Sequence, residues 1–287
     1  MIHVTTDAGN WSRFVGQITA FLQADTVDFD IEGQRVHGYR SPDSPALWIR
    51  DHSDMLRGAR YIDADMTSAV DLFAAYQRTD GRVYDFVLNK PQPGTRENWE
   101  TWVRVPVEAD VEYRFVKAGY LAWQATGDLD WLKRRLPDLD RALRYTATHP
   151  MRWDAKHGLV KRPYTIDTWD FDYTAGRYPG LNFQITDDTF WGLFHGDNSG
   201  AYESAYLLAG LYDAVGEPEK SAEWRTWADG LQARANALLF NGAFYTHFHK
   251  LTPVTFPGVD EAAQLTLSTP MALNRGLATP EIAEAVL

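Results

Sequence analysis

The stretch Tyr164-Thr-Ile-Asp167-Thr-Trp169-Asp170-Phe-Asp172-Tyr173 crowds three carboxylates among aromatic rings. Turn chemistry stands before it at Lys156-His-Gly158 and after it at Arg177-Tyr-Pro179-Gly180. Apolar alternation fails just past Ile166, and repeated Asp suits a helix interior badly, so neither regular period explains the pattern. Sugar chemistry would. Crowding by neighbouring acids and apolar rings raises the pKa of a carboxyl, which can then protonate a glycosidic oxygen, while flat ring faces hold a pyranose. The plainer reading is a solvated acidic loop with one Trp pinning it to the core.

A second chemical stretch is Ala46-Leu-Trp48-Ile-Arg50-Asp51-His52, at a loop-to-helix junction. A guanidinium beside a carboxylate offers paired donors and acceptors, which match two sugar hydroxyls, with Trp48 beside the ring. The structural alternative makes Asp51 or Ser53 a helix N-cap and Arg50 its ion-pair partner. His195-Gly196-Asp197-Asn198 carries the same ambiguity, a cap or a polar group turned into a cleft. Asp187-Asp188 reads as ordinary loop acidity. In Tyr245-Thr-His247-Phe-His249 the two His share one face of a strand and could bind a metal, but no third ligand stands near in sequence. No metal or other cofactor is expected. A glycine-rich phosphate loop, a His-Glu-x-x-His pair and a Gly-x-Ser-x-Gly elbow are all missing from the sequence.

These residues must be positioned by helices. Apolar residues recur at helical spacing over residues 11–23 and, strongly, from Glu108 to Thr126, where Gly127-Asp128 stops one helix and caps the next, Leu129 to Thr148. The same grammar returns with Asn198 to Ala214, the turn Gly216-Glu217-Pro218 and a partner helix from Ala222 to Phe240, as in an array of helical hairpins. One long helix is predicted from Ser53 to about Gln77, stopped by Asp80-Gly81. Shorter ones are expected from Glu261 to Asn274 and from Pro280 to Leu287, about eight in all. Thr26 to Tyr39 reads as a β-hairpin around Glu32-Gly33, Val83 to Leu88 as a short strand, and Pro91 to Thr101 as a loop carrying Trp99 beside Trp102.

Composition narrows the function. The chain has 287 residues, 45% of them hydrophobic, and is expected to form one domain over 1–287. A net charge of -11 disfavours nucleic acid and anionic membrane as partners. Zero Cys removes disulfides, thiolate metal sites and a Cys nucleophile together. Neither a signal peptide nor a membrane span is visible, so a cytoplasmic protein is expected. The 11 Trp, 14 Tyr and 14 Phe lie partly in polar, Gly- and Pro-containing stretches, where a binding cleft explains them better than a core.

Trp48-Ile-Arg50-Asp51 at the mouth of a helix resembles the sugar-clamping motif of glucoamylases and related exo-acting six-hairpin glycosidases, amylo-α-1,6-glucosidases included. Asp167-Thr-Trp169-Asp170 is similar to the Asp-x-Trp-Glu of glucoamylases, and Trp169-Asp170-Phe171 resembles the Trp-Asp-Phe of neutral trehalases. The acid is one methylene shorter than in glucoamylases, and the residues before Trp169 differ from the trehalase signature. The resemblance implies an all-α fold, an (α/α)6 toroid of helical hairpins with short β-hairpins on one face. It implies exo-acting, inverting hydrolysis, most directly of an α-glucoside. Trp48, Arg50, Asp51, Asp167 and Trp169 would bind the sugar of a small oligosaccharide or glycoside, and Asp170 would be the general acid. In such families the base lies near the last hairpins. Glu203 and Glu261 sit in no recognisable base motif, so the base is expected to be missing from this chain and the array incomplete. Three rival readings are a toroid phosphorylase, which would need a phosphate pocket, an epimerase, which would need paired His residues, and a non-catalytic carbohydrate-binding scaffold.

Overall fold

The computed structural model describes residues 9–31, 33–42, 44–88, 101–102, 110–163, 185, 187, 189–255, 258, 260 and 263–286. α1 (Gly9–Ala24) leads into a hairpin, β1 (Thr26–Ile31) and β2 (Gln34–Tyr39), which pair antiparallel from Thr26↔Tyr39 to Ile31↔Gln34. β3 (Leu47–Trp48) runs directly into α2 (Ile49–Ala59), followed by α3 (Ser68–Tyr76), β4 (Phe86–Val87) and β5 (Thr101–Trp102). The first of two long hairpins is α4 (Val111–Thr126) with α5 (Leu129–Thr148). Then come β6 (Trp153–Asp154), β7 (Leu159–Val160), β8 (Arg162–Pro163) and β9 (Trp191–Phe194), which enters the second long hairpin, α6 (His195–Val215) with α7 (Pro218–Leu239). β10 (Phe248–Lys250), α8 (Ser268–Asn274) and α9 (Pro280–Val286) complete the described elements.

The two long hairpins turn the same way for the same reason. Gly127 (φ 66°) and Gly216 (φ 80°) each take the left-handed conformation at the end of a helix, where a Cβ would be strained. Asp128 then caps α5 by accepting a bond from the Trp131 amide at 2.9 Å. α5 continues through Pro137, which withholds one backbone donor from the helix.

Contacts between hairpins define two layers. Arg50 of α2 meets Asp110 at the head of α4, and one turn later Asp54 meets Arg114. Tyr113 of α4 packs against Gly200 of α6, and one turn on Lys117 meets Glu203. α2, α4 and α6 are therefore parallel neighbours forming an inner row. Behind them, Asp71 of α3 accepts from the Trp131 indole of α5, and Asp140 of α5 accepts from the Trp224 indole of α7, both at 2.8 Å. One contiguous core runs between the layers from Leu22 to Leu277. The short sheets β3-β4-β5 and β8-β9-β10 gather where α2 and α6 begin. No helix among the described residues is long and apolar enough to cross a membrane.

Several expected boundaries move. The long helix predicted from Ser53 to Gln77 is two helices, α2 and α3. Asp63 and Asp65 take over the link: Asp65 accepts from the amides of Thr67 at 3.2 Å and Ser68 at 3.0 Å, an arrangement that competes with helix. Asp63 is meanwhile held by Tyr39 and, at 2.6 Å, by His37 of β2. Ile62, inside the span of that predicted helix, is exposed. The strand expected at Val83 to Leu88 shortens to β4, and the helix expected from Glu261 begins at Ser268. Nine helices rather than eight stand among the described residues.

Candidate functional site

The head of α2 is set by sheet register. Leu47 pairs with Val87 and Trp48 with Phe86, and the Ile49 amide donates to the Asp85 carbonyl at 3.0 Å. That bond, with the strand running straight into the helix, does the work of a cap. The helix accordingly starts at Ile49, with Trp48 in the cap position and no side-chain cap bond, so neither Asp51 nor Ser53 is the N-cap. The Trp48 ring lies 4.5 Å from that of Phe86, and its indole donates to Ser44 Oγ at 2.6 Å. These contacts fix the orientation of the indole.

Arg50 is gripped by carboxylates from distant parts of the chain. Its Nε donates to Asp110 Oδ1 at 2.7 Å and Oδ2 at 2.8 Å, and its Nη1 to Asp85 Oδ1 at 3.4 Å. Both carboxylates are fully buried. Asp110 is shared with Arg114, whose Nε lies 3.1 Å from Oδ2, and Arg114 in turn pairs with Asp54. Removing two anions from water is costly, and here guanidinium forks on either side compensate. Asp51, in the first turn beside this network, is half-buried. Burial raises its carboxyl above the usual range, against opposing pulls from Arg50 and a hydrogen bond from Ser41. Trp48, Arg50 and Asp51 thus share one helix mouth. Asp167, Trp169 and Asp170 lie outside the described residues, as do Asp188, Trp99 and Glu261.

The head of α6 repeats the logic. The His195 amide donates to the His247 carbonyl at 3.0 Å, so this helix too takes over from a strand without a side-chain cap, and Asp197 and Asn198 lie inside its first turn. Asn198 is spent on backbone: it donates to Val160 at 2.9 Å and Phe194 at 2.8 Å and accepts from the Val160 amide at 2.9 Å. Asp197 accepts from Arg162 Nε at 2.6 Å and lies 3.5 Å from Arg152, which reaches Glu112 of α4 at 3.9 Å. All four charged groups are buried, and burial pushes Glu112 up to about 7 against the pull of Arg152. This network ties the heads of α4 and α6 together.

His195 and His247 are enclosed. Burial, helped by Arg275 beside the first and Arg162 beside the second, depresses each to about 3. Imidazoles titrating there are poorly matched to proton abstraction near neutral pH, which is what an epimerase would ask of them. No cluster of three or more metal-ligating side chains stands among the described residues. His249 instead faces the His157 ring at 5.3 Å.

Sequence reading missed Asp85, Asp110 and Arg114. Asp110 immediately before a strongly periodic helix was the one available signal.

No protein-family model matches the chain, and no curated protein does either. Solved structures do resemble it. A GH63 mannosylglycerate hydrolase from Thermus thermophilus, in complex with Tris, superposes with a TM-score of 0.67 at 14% identity, covering 94% of this chain and 75% of that one. A rhamnosidase from Klebsiella oxytoca with rhamnose bound gives 0.53 at 19% identity, over 85% of this chain and 41% of that one. A GH78 rhamnosidase of Bacillus sp. GL1 gives 0.58 at 14% identity, over 84% and 22%. The chain therefore spans less than half the length of either rhamnosidase. The likeness establishes the architecture: an all-α, toroid-type array of helical hairpins with short strands at one face.

Proposed function

We propose that the chain belongs to an exo-acting glycoside hydrolase that cleaves α-glucosides with inversion. The observation that supports this most directly is the trio Trp48, Arg50 and Asp51 at the mouth of an inner helix, in a fold whose solved neighbours include sugar hydrolases. Trp48 would lie against the pyranose ring. Asp51 would accept from one hydroxyl, and Arg50, anchored by Asp110, would donate to its neighbour. Asp167 and Trp169 would form the adjoining wall, and Asp170 would protonate the leaving oxygen as the anomeric C–O bond breaks.

Inversion needs a second carboxylate, roughly 6.5–9.5 Å from the first, to take a proton from the attacking water. Of the two acids considered for that part, Glu203 is engaged by Lys117 at 2.7 and 2.9 Å and by Arg275 at 3.8 Å, and Glu261 lies outside the described residues. Neither sits in a recognisable base motif, and on that ground we infer that this chain binds sugar but hydrolyses slowly.

The test is to offer the purified protein p-nitrophenyl α-glucoside, α-mannoside and α-rhamnoside, and to follow the released anomer by NMR. Slow release of the β-anomer from the glucoside, abolished in Asp170→Asn, is expected. Undiminished turnover by that variant removes Asp170 from the role. Preference for another sugar replaces the substrate, and rapid turnover by the unaltered chain overturns the inference of slow hydrolysis.

A further inference from the structure

Further along the inner helices than Arg50 and Asp51, a cavity of about 400 Å³ opens between α2, α4 and α8. Arg57, Arg114, Lys117 and Arg275 line it, with Leu267 and Met271 on the apolar side. Such a volume suits a small organic molecule.

The charge balance of this wall is unusual for an acidic chain. Asp54 pairs with Arg114, and Glu203 serves both Lys117 and Arg275. Arg57 is exposed and has no carboxylate partner among the described residues. Four cations thus line the cavity with one carboxylate, Asp54, while Glu203 and Asp110, the latter shared with Arg50, stand outside its lining. Burial is the main cause that lowers the Lys117 pKa, the Glu203 carboxylate opposes it, and Arg57 and Arg114 push it further down. An anion entering here would relieve like-charge repulsion already built into the fold. The apolar side would be left facing water by a bare inorganic ion, but a carbon skeleton would cover it.

We propose that this cavity binds a small organic anion, a sugar phosphate or a sugar acid, with its acidic group among Arg57, Arg114 and Lys117 and its carbon skeleton on Leu267 and Met271. The site is distinct from the helix mouth assigned to the glycoside and does not depend on hydrolysis.

Calorimetric titration of the purified protein with glucose 6-phosphate, gluconate and glucose tests this without turnover. At least one charged sugar should bind roughly tenfold or more tightly than glucose, as expected for charge-assisted bonds, and should weaken as salt is added. Arg57→Gln should lose about tenfold in that affinity while keeping its melting temperature, and Arg57→Lys should retain part of it. Which charged sugar binds better distinguishes phosphate from carboxylate. The proposal is overturned if neither charged sugar binds more tightly than glucose, or if Arg57→Gln binds them as the unaltered protein does.

Discussion

Arg50 holds both oxygens of Asp110, a residue at the head of the next inner helix, through its Nε at 2.7 and 2.8 Å. The contact joins the first helical unit to the second and fixes the guanidinium beside Asp51. Asp110→Asn leaves Arg50 and Arg114 sharing a neutral amide in a buried site. Urea denaturation should show a loss on the order of 3 kcal/mol, as for a broken buried ion pair. Arg50→Lys should be nearly as damaging, because an ammonium cannot fork onto two oxygens. A loss within about 0.5 kcal/mol for both, typical of a surface change, would show that the pair holds nothing together.

Asp51 carries the sugar-binding proposal into a measurable quantity. Asp51→Ala should weaken glucose binding by about tenfold or more, the worth of a hydrogen bond to a charged group, with little change in melting temperature. Burial raises this carboxyl, so its affinity for hydroxyl donors should fade as the pH drops, and at a higher pH than for an ordinary aspartate. Glucose titrations across acid pH check both points. Unchanged affinity in the alanine variant would exclude Asp51 from the sugar site.

Glu112 gives a stability signature. Its folded pKa, about 7, lies above the ordinary glutamate value of 4.5, so the folded state binds the proton more tightly than the unfolded state. Stability from this group is full below about pH 4.5 and is lost as the pH rises toward 7. Glu112→Gln keeps the shape without the charge. Relative to the unaltered protein it should gain on the order of 2–3 kcal/mol between pH 4.5 and 8, at about 1.4 kcal/mol per pKa unit. A pH-independent difference between the two proteins would mean that Glu112 is ionised in the fold.

Gly200 of α6 sits directly against Tyr113 of α4. A Cβ there would lie 2.5–2.7 Å from the Tyr113 ring, whose own backbone carbonyl accepts from Ser204 Oγ at 3.0 Å. Gly200→Ala should cost about 1–3 kcal/mol by overpacking, despite the better helix propensity of alanine. A stabilised variant in thermal melts would refute this packing.

How much of this was legible in the sequence varied with range. Gly127-Asp128 and Gly216-Glu217-Pro218 announce their hairpins because a left-handed glycine and a cap act over a few residues. The break between α2 and α3 was hidden: the link itself, residues 60–67, holds no Gly or Pro, and apolar residues recur through it toward Phe73. What decides it is Asp63, drawn out by His37 and Tyr39 from a hairpin more than twenty residues earlier. The helix mouth was half legible. Trp48, Arg50 and Asp51 stand together in sequence and in space, but Asp85 and Asp110, which immobilise the guanidinium, are 35 and 60 residues away. The cap readings weighed at Asp51 or Ser53 and at Asp197 or Asn198 failed for one reason: carbonyls just before β4 and β10, those of Asp85 and His247, already occupy the first helical amides.

Because each inner helix leans mainly on its immediate neighbours, the array should not loosen all at once. α9 has no buried residue and α8 only Ser268 and Ala272, whereas α4 and α6 are buried along most of their length. Amide protons should therefore exchange first at α9 and last where α4 meets α6, a gradient of fraying that follows the order of the hairpins rather than their individual propensities.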